Sequence, residues 1–151
     1  MTQIGDCSAC TPGSFCAEPG AVSPTAKCEA GFICPGGNIE PRPTTPAGGD
    51  AATDGGPCPA GGYCETGSSV QKPCDGGYFN PNTGSTTVFD CTLCTRGMYC
   101  QGEATAIPTT PCYDGYYCEI GSTIPDQYPA QPGYFAKNTD PDDGYPNQGP
   151  W

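Results

Sequence analysis

Apolar side chains in this chain recur mainly at one place, just after a glycine inside a short cysteine loop of the form Cys-x-x-Gly-x-x-Cys. The loop occurs at Cys10–Cys16, Cys28–Cys34, Cys58–Cys64, Cys94–Cys100 and Cys112–Cys118. A sixth copy, Cys74 to Asn80, keeps Gly77 and lacks the second cysteine; a seventh, Ala130 to Ala136, keeps Gly133 and lacks both. An aromatic follows the glycine within two residues in every copy: Phe15, Phe32, Tyr63, Tyr78, Tyr99, Tyr116 and Tyr134. The glycines are expected to supply turns with φ > 0, which a side chain disfavours. The pattern predicts short two-stranded hairpins at the loops, a turn of helix at most, and rings packed on the neighbouring disulfides. The connectors are polar and Pro-rich and read as extended or polyproline-like segments with no core of their own.

A longer period lies above the loops. Cys7, Cys10, Cys16, Cys28 and Cys34 recur 84 residues on as Cys91, Cys94, Cys100, Cys112 and Cys118, and the same shift carries Gly13 to Gly97, Gly31 to Gly115 and Gly37 to Gly121. The chain therefore reads as a repeat array. Its expected divisions are cysteine-rich modules at 1–34, 58–91 and 92–118, a Pro/Gly/Thr-rich connector at 35–57, a cysteine-free loop at 119–136 and an acidic Pro/Gly-rich tail at 137–151.

Composition sharpens this picture. Leu, Ile, Val and Phe together make up 15 of 151 residues, and the formal charge is −11. Such a chain cannot offset roughly 1–2 kcal/mol of backbone entropy per residue by apolar burial. Its 13 cysteines reverse that balance, because each bridge contributes roughly 2–4 kcal/mol by constraining the unfolded chain. A disulfide framework needs an oxidising compartment, so the expected location is extracellular or at the cell surface. With 23 Gly and 19 Pro, long helices are excluded. No stretch approaches the ~20 apolar residues of a membrane span. Residues 1–6 lack the apolar segment of a signal peptide, so a mature piece or a fragment of a longer secreted chain is expected. Sixteen acidic against five basic residues exclude a nucleic-acid partner.

Cys-x-x-Gly-x-Tyr-Cys loops, Pro/Gly-rich spacers and the Cys-x-x-Cys junctions Cys7–Cys10 and Cys91–Cys94 together resemble the ephrin-receptor-like cysteine-rich repeats. The stretch from Cys74 through Tyr78-Phe79 to Cys91, Cys94 and Gly97 carries the likeness best. More loosely it is similar to the tumour-necrosis-factor-receptor cysteine-rich module. The resemblance covers about residues 7–136 and implies tandem modules of large extracellular proteins: surface antigens, receptor ectodomains and the flagellar hairs (mastigonemes) of algae. Grouping the loops in twos then suggests crossed bridges, Cys10–Cys28, Cys16–Cys34, Cys58–Cys74, Cys64–Cys91, Cys94–Cys112 and Cys100–Cys118. Cys74–Cys91 with a local Cys58–Cys64 is the alternative, and spacing alone leaves both open.

The candidate chemistry is sparse. Two Cys-x-x-Cys pairs evoke zinc, but there is no histidine and the pairs are repeats of one another. A redox thiolate would need a helix N-terminus or clustered cations, and the sequence offers neither. Asp140, Asp142 and Asp143 lack the spacing of an EF-hand and read as a solvated turn. The missing histidine also removes the usual nucleophile–base pairs, so no enzyme, metal or cofactor is expected. No Asn-x-Ser/Thr sequon exists. The clusters Pro41, Pro43, Thr44, Thr45, Pro46 and Pro108, Thr109, Thr110, Pro111 instead resemble O-glycosylated stalk sequence. Thirteen cysteines cannot all pair, and the repeat singles out Cys7 as unpaired or intermolecular. The expected fold is thus a small disulfide-rich, elongated string of cysteine-rich modules. The expected role is a structural subunit of an extracellular filament or coat, a glycosylated flagellar-hair-like fibre being one form, whose partners are itself, or a longer parent chain, and O-linked glycans. A ligand-binding or adhesive stalk of a receptor or surface antigen is the rival.

Overall fold

The computed structural model describes residues 8–44, 49–136 and 149–150. The chain divides into two compact units, the first from 1–59, 63–72 and 82–88, the second from 60–62, 73–81 and 89–151. Both are built from two-residue antiparallel strand pairs, with almost no helix. In the first unit β1 (Ser14–Phe15) pairs with β2 (Ala26–Lys27), and β3 (Phe32–Ile33) with β4 (Gly56–Pro57). A further pair, β5 (Gly62–Tyr63) with β6 (Lys72–Pro73), lies where the dividing line passes through the chain. The second unit holds β7 (Tyr78–Phe79) with β8 (Thr92–Leu93), and β9 (Met98–Tyr99) with β10 (Thr110–Pro111). It also holds β11 (Tyr116–Tyr117) with β12 (Tyr128–Pro129), and β13 (Tyr134–Phe135) with β14 (Gly149–Pro150).

One rule generates the first six pairs. The two residues after a loop glycine meet the two residues that precede the next loop, so Phe32 lies opposite Pro57, Met98 opposite Pro111 and Tyr116 opposite Pro129. Proline cannot donate to a ladder, and a two-stranded edge is where a sheet tolerates it. Two-residue strands cannot stand alone. They are held because the loop glycine also binds both ends of the next loop. Gly13 N–H donates to the Cys34 carbonyl at 2.8 Å while its own carbonyl accepts from Cys28 N–H at 3.0 Å. Gly31 does the same with Cys64 and Cys58. In the second unit Gly61 binds Asn80 and Cys74, Gly77 binds Cys100 and Cys94, Gly97 binds Cys118 and Cys112, and Gly115 binds Ala136 and Ala130.

A second set of bonds runs from each connector past the loop it follows to the loop before that one. Gly37, Gly67 and Gly84 donate to the carbonyls of Cys10, Cys28 and Cys58, and the next residue's carbonyl accepts from Cys16, Cys34 and Cys64 in turn. Ala104 and Gly121 repeat this on Cys74 and Cys94. Each step from loop to loop thus uses up to four backbone bonds. Ala104, at φ 60°, is the one non-glycine with positive φ among the described residues, and it stands at the position taken elsewhere by these connector glycines.

The disulfides depart from the crossed scheme. Cys10–Cys16, Cys28–Cys34, Cys58–Cys64, Cys94–Cys100 and Cys112–Cys118 each close a loop on itself, and Cys74 bonds Cys91. None of Cys10–Cys28, Cys16–Cys34, Cys58–Cys74, Cys64–Cys91, Cys94–Cys112 or Cys100–Cys118 forms. The ladder explains why: it sets the glycine of one loop opposite both cysteines of the next, so cysteines face glycine rather than one another. The glycine turn meanwhile brings the two ends of its own loop to a Cα separation of 5.8–6.5 Å, within reach of a bridge.

Sulfur, not aromatic carbon, fills the interior. Cys28, Cys34, Cys58, Cys64, Cys74, Cys94, Cys100, Cys112 and Cys118 are buried, and Ile33 packs with Cys58 and Cys64. The loop rings were expected to form miniature cores, yet Phe15, Phe32, Tyr63, Tyr99 and Tyr116 are only half-buried and Tyr78 and Tyr134 are exposed. Nor is connector 35–57 free of tertiary contacts. Phe15 bridges Asn38, the Pro41 carbonyl accepts from Glu29 N–H, Pro43 is buried, and one helical turn spans Ala51–Asp54.

The loop glycines are crowded to different degrees, and this yields a paired test. A Cβ at Gly77 (φ 85°) would sit 2.5 Å from the Gly121 carbonyl oxygen, whereas one at Gly115 (φ 86°) meets nothing within 4 Å. Gly115→Ala is expected to cost only the left-handed backbone penalty, roughly 1–2 kcal/mol. Gly77→Ala adds a backbone collision and is expected to destabilise clearly more. Denaturant unfolding of the oxidised proteins measures the difference, and equal losses would contradict the close approach.

Candidate functional site

Loop 74–80 is where the repeat is broken, and the structure repairs it with a side chain. Asn80 takes the place of the missing cysteine and is fully buried. Its Nδ2–H donates to the Gly62 carbonyl at 2.9 Å, its backbone N–H donates to Thr105, and its carbonyl accepts from Gly61. An amide thus holds the loop end that a sulfur holds elsewhere. Cys74, deprived of a local partner, bonds Cys91 across 17 residues and encloses a 3-10 turn at Val88–Asp90.

The Cys-x-x-Cys junctions hold no thiolate pair. Cys91 and Cys94 belong to different bridges, to Cys74 and to Cys100, and Cys10 is bonded to Cys16. Among the described residues no group of three or more His, Cys, Asp or Glu is placed to hold a metal ion. Asp140, Asp142 and Asp143 lie outside the described residues, as does Cys7. The six bridges use all twelve cysteines from 10 to 118, so none of these is left over. Exposed ion pairs join Arg42 to Glu29 at 2.6 Å and Lys72 to Glu65. The hydrogen bond and charge of Glu65 hold the Lys72 ammonium above its ordinary pKa. Pairs so open to water stabilise little.

The Pro-Thr clusters are presented unevenly. Thr44, Thr109, Thr110 and Pro111 are exposed, Pro41 and Pro108 are half-buried, and Thr45 and Pro46 lie outside the described residues. Pro43 is buried, which leaves no room for a sugar on its ring. Thr110 and Pro111 form β10, so a glycan there would sit on the outer edge of a strand pair.

Large apolar side chains face water instead of a core. Phe89, on the turn enclosed by Cys74–Cys91, is 92% exposed and Val22 fully so. In the second unit Tyr78 lies opposite Leu93, both partly exposed, and a Leu93 methyl rests against Gly121, next to exposed Ile120. Tyr117 and Tyr128 lie opposite each other on β11 and β12, with ring centroids 5.2 Å apart and planes 27° from parallel. The cysteine pattern gives no sign of these positions, since Phe89 and Tyr128 sit in connectors. Among the described residues no helix is long and apolar enough to cross a membrane. Comparison with known proteins finds no family model that matches the chain and no matching curated protein. What the residues establish is tandem small disulfide-bonded hairpin modules.

Removing the buried amide tests its part in the array. Asn80→Ala leaves the Gly62 carbonyl without that donor and is expected to cost about 1–3 kcal/mol. A shifted denaturant midpoint at unchanged disulfide pattern reads it, and an unchanged midpoint would show that Asn80 merely fills space.

Proposed function

We propose that this chain is a structural subunit of an extracellular filament or coat. The carrying observation is that one backbone step recurs from loop to loop whether or not the cysteines are present. It holds at Asn80, and at Ala130 and Ala136, as it does between intact loops. In such arrays each unit rests mainly on its neighbours, so stability and length grow together. That suits a mechanical role better than one needing a preformed cleft. Six disulfides suit an oxidising, extracellular setting. The Gly-x-Tyr-Cys loops favour kinship with the ephrin-receptor-like repeats, in a version whose loops close on themselves. In this reading Cys7, the thirteenth cysteine, bonds a neighbouring chain or an upstream segment. Electron microscopy of the native material is the test: filaments or a sheet with a regular axial repeat are expected, and dispersed single particles would end the reading.

The rival reading, a ligand-binding or adhesive stalk, draws on the exposed apolar side chains. Phe89 on a disulfide-cinched turn has the character of an anchor at a protein interface.

Glycosylation belongs to the leading reading, because sugars on Thr44, Thr109 and Thr110 would sit on exposed connectors and shield them. Intact-mass spectrometry of the native protein is expected to show a mass above that of the oxidised chain, with sugar mapped to these residues. A mass equal to the bare oxidised chain would remove the glycans from the proposal.

A further inference from the structure

Loop 130–136 is held without a disulfide, since Ala130 and Ala136 stand where cysteines stand elsewhere. Its link to the preceding loop is β11 with β12 and the two bonds from Gly115 to Ala130 and Ala136. At this junction Tyr117, next to Cys118, faces Tyr128, two residues before Ala130. The rings are stacked with centroids 5.2 Å apart, Tyr128 is 40% exposed, and Tyr117 is half-buried. We propose that Tyr117 and Tyr128 are an oxidative cross-linking site that forms an intrachain dityrosine, a covalent staple at the step that lacks a cystine.

The geometry and the setting both favour the reaction. Directly opposed residues of an antiparallel pair hold their Cβ atoms about 4.5–5.5 Å apart, so both rings are confined to one small volume. Holding two reactants in contact replaces a bimolecular encounter by an intramolecular step. Bridged cysteines are already oxidised, so the twelve from 10 to 118 offer no thiol to intercept a radical. The co-reactant is hydrogen peroxide used by a peroxidase. Each phenol gives up one electron and one proton, and the two radicals join through carbons ortho to their oxygens. The hydrogens on those carbons then move to the oxygens and restore both phenols. Two tyrosines and one peroxide thereby become one dityrosine and two waters. The staple would tie the last disulfide-bonded loop directly to the residues that lead into the cysteine-free one.

The test uses the whole oxidised chain with peroxidase and peroxide. The expected product is monomeric, lighter by two hydrogen atoms, and shows dityrosine fluorescence. After reduction and cleavage at Glu119, the peptides carrying Tyr117 and Tyr128 should remain joined. Tyr128→Phe should lose the fluorescence to the level of protein without peroxide, while Tyr113→Phe retains it. Signal that survives in Tyr128→Phe, products that are only interchain, or equal yield from the reduced, denatured chain would each overturn the proposal.

Discussion

A glycine in the left-handed region carries two constraints at once in the first six loops. Its φ of 77–91° turns the chain so that the loop's ends meet, and its amide and carbonyl together grip the two ends of the loop that follows. The turn makes local bridging possible, and the grip sets the register of each strand pair. A side chain there is opposed by its own backbone conformation and, at Gly13, Gly31, Gly61 and Gly77, by close neighbours as well. At Gly31 an added Cβ would meet the Gly84 carbonyl oxygen at 2.6 Å.

Local closure makes each bridge a modest contributor. A loop of about seven residues removes roughly 2–2.5 kcal/mol of unfolded-state entropy, against roughly 3 for the longer loops of a crossed scheme. Cys74–Cys91 closes a longer loop and falls in the upper range. The bridges therefore make the segments compact, and backbone hydrogen bonds join the segments into an array. This division of labour explains how loops can lose cysteines: at Asn80 a buried amide substitutes, and at Ala130 and Ala136 the glycine contacts persist alone.

The same economy shapes the surface. Cystines and backbone fill the interior, so most of the few large apolar residues have no core to enter. Phe89, Val22, Leu93 and the tyrosines of β11 to β13 are left partly or wholly in water. Self-repulsion from a formal charge of −11 works against non-specific association of such side chains.

Cysteine and glycine spacing alone determined that this protein is a disulfide-held array of short hairpins, because a chain so poor in aliphatic side chains has no other way to fold. Spacing also marked the seven loop glycines, since a fixed place between two cysteines signals a turn. It could not decide the pairing. Spacing offers Cys10 both Cys16 and Cys28 as partners, and only the hydrogen-bonded register places Gly13, not Cys10, opposite Cys28 and Cys34. The 84-residue repeat matched Gly37 to Gly121, but the partners of Gly37, Gly67, Gly84 and Gly121 stayed hidden, because each lies in the loop before the one the glycine follows. The Tyr117–Tyr128 pair and the exposed Phe89 were likewise decided by tertiary structure, because which rings meet and which face water depends on strand register. Composition says what must hold the chain together, and only the folded backbone says what stands opposite what.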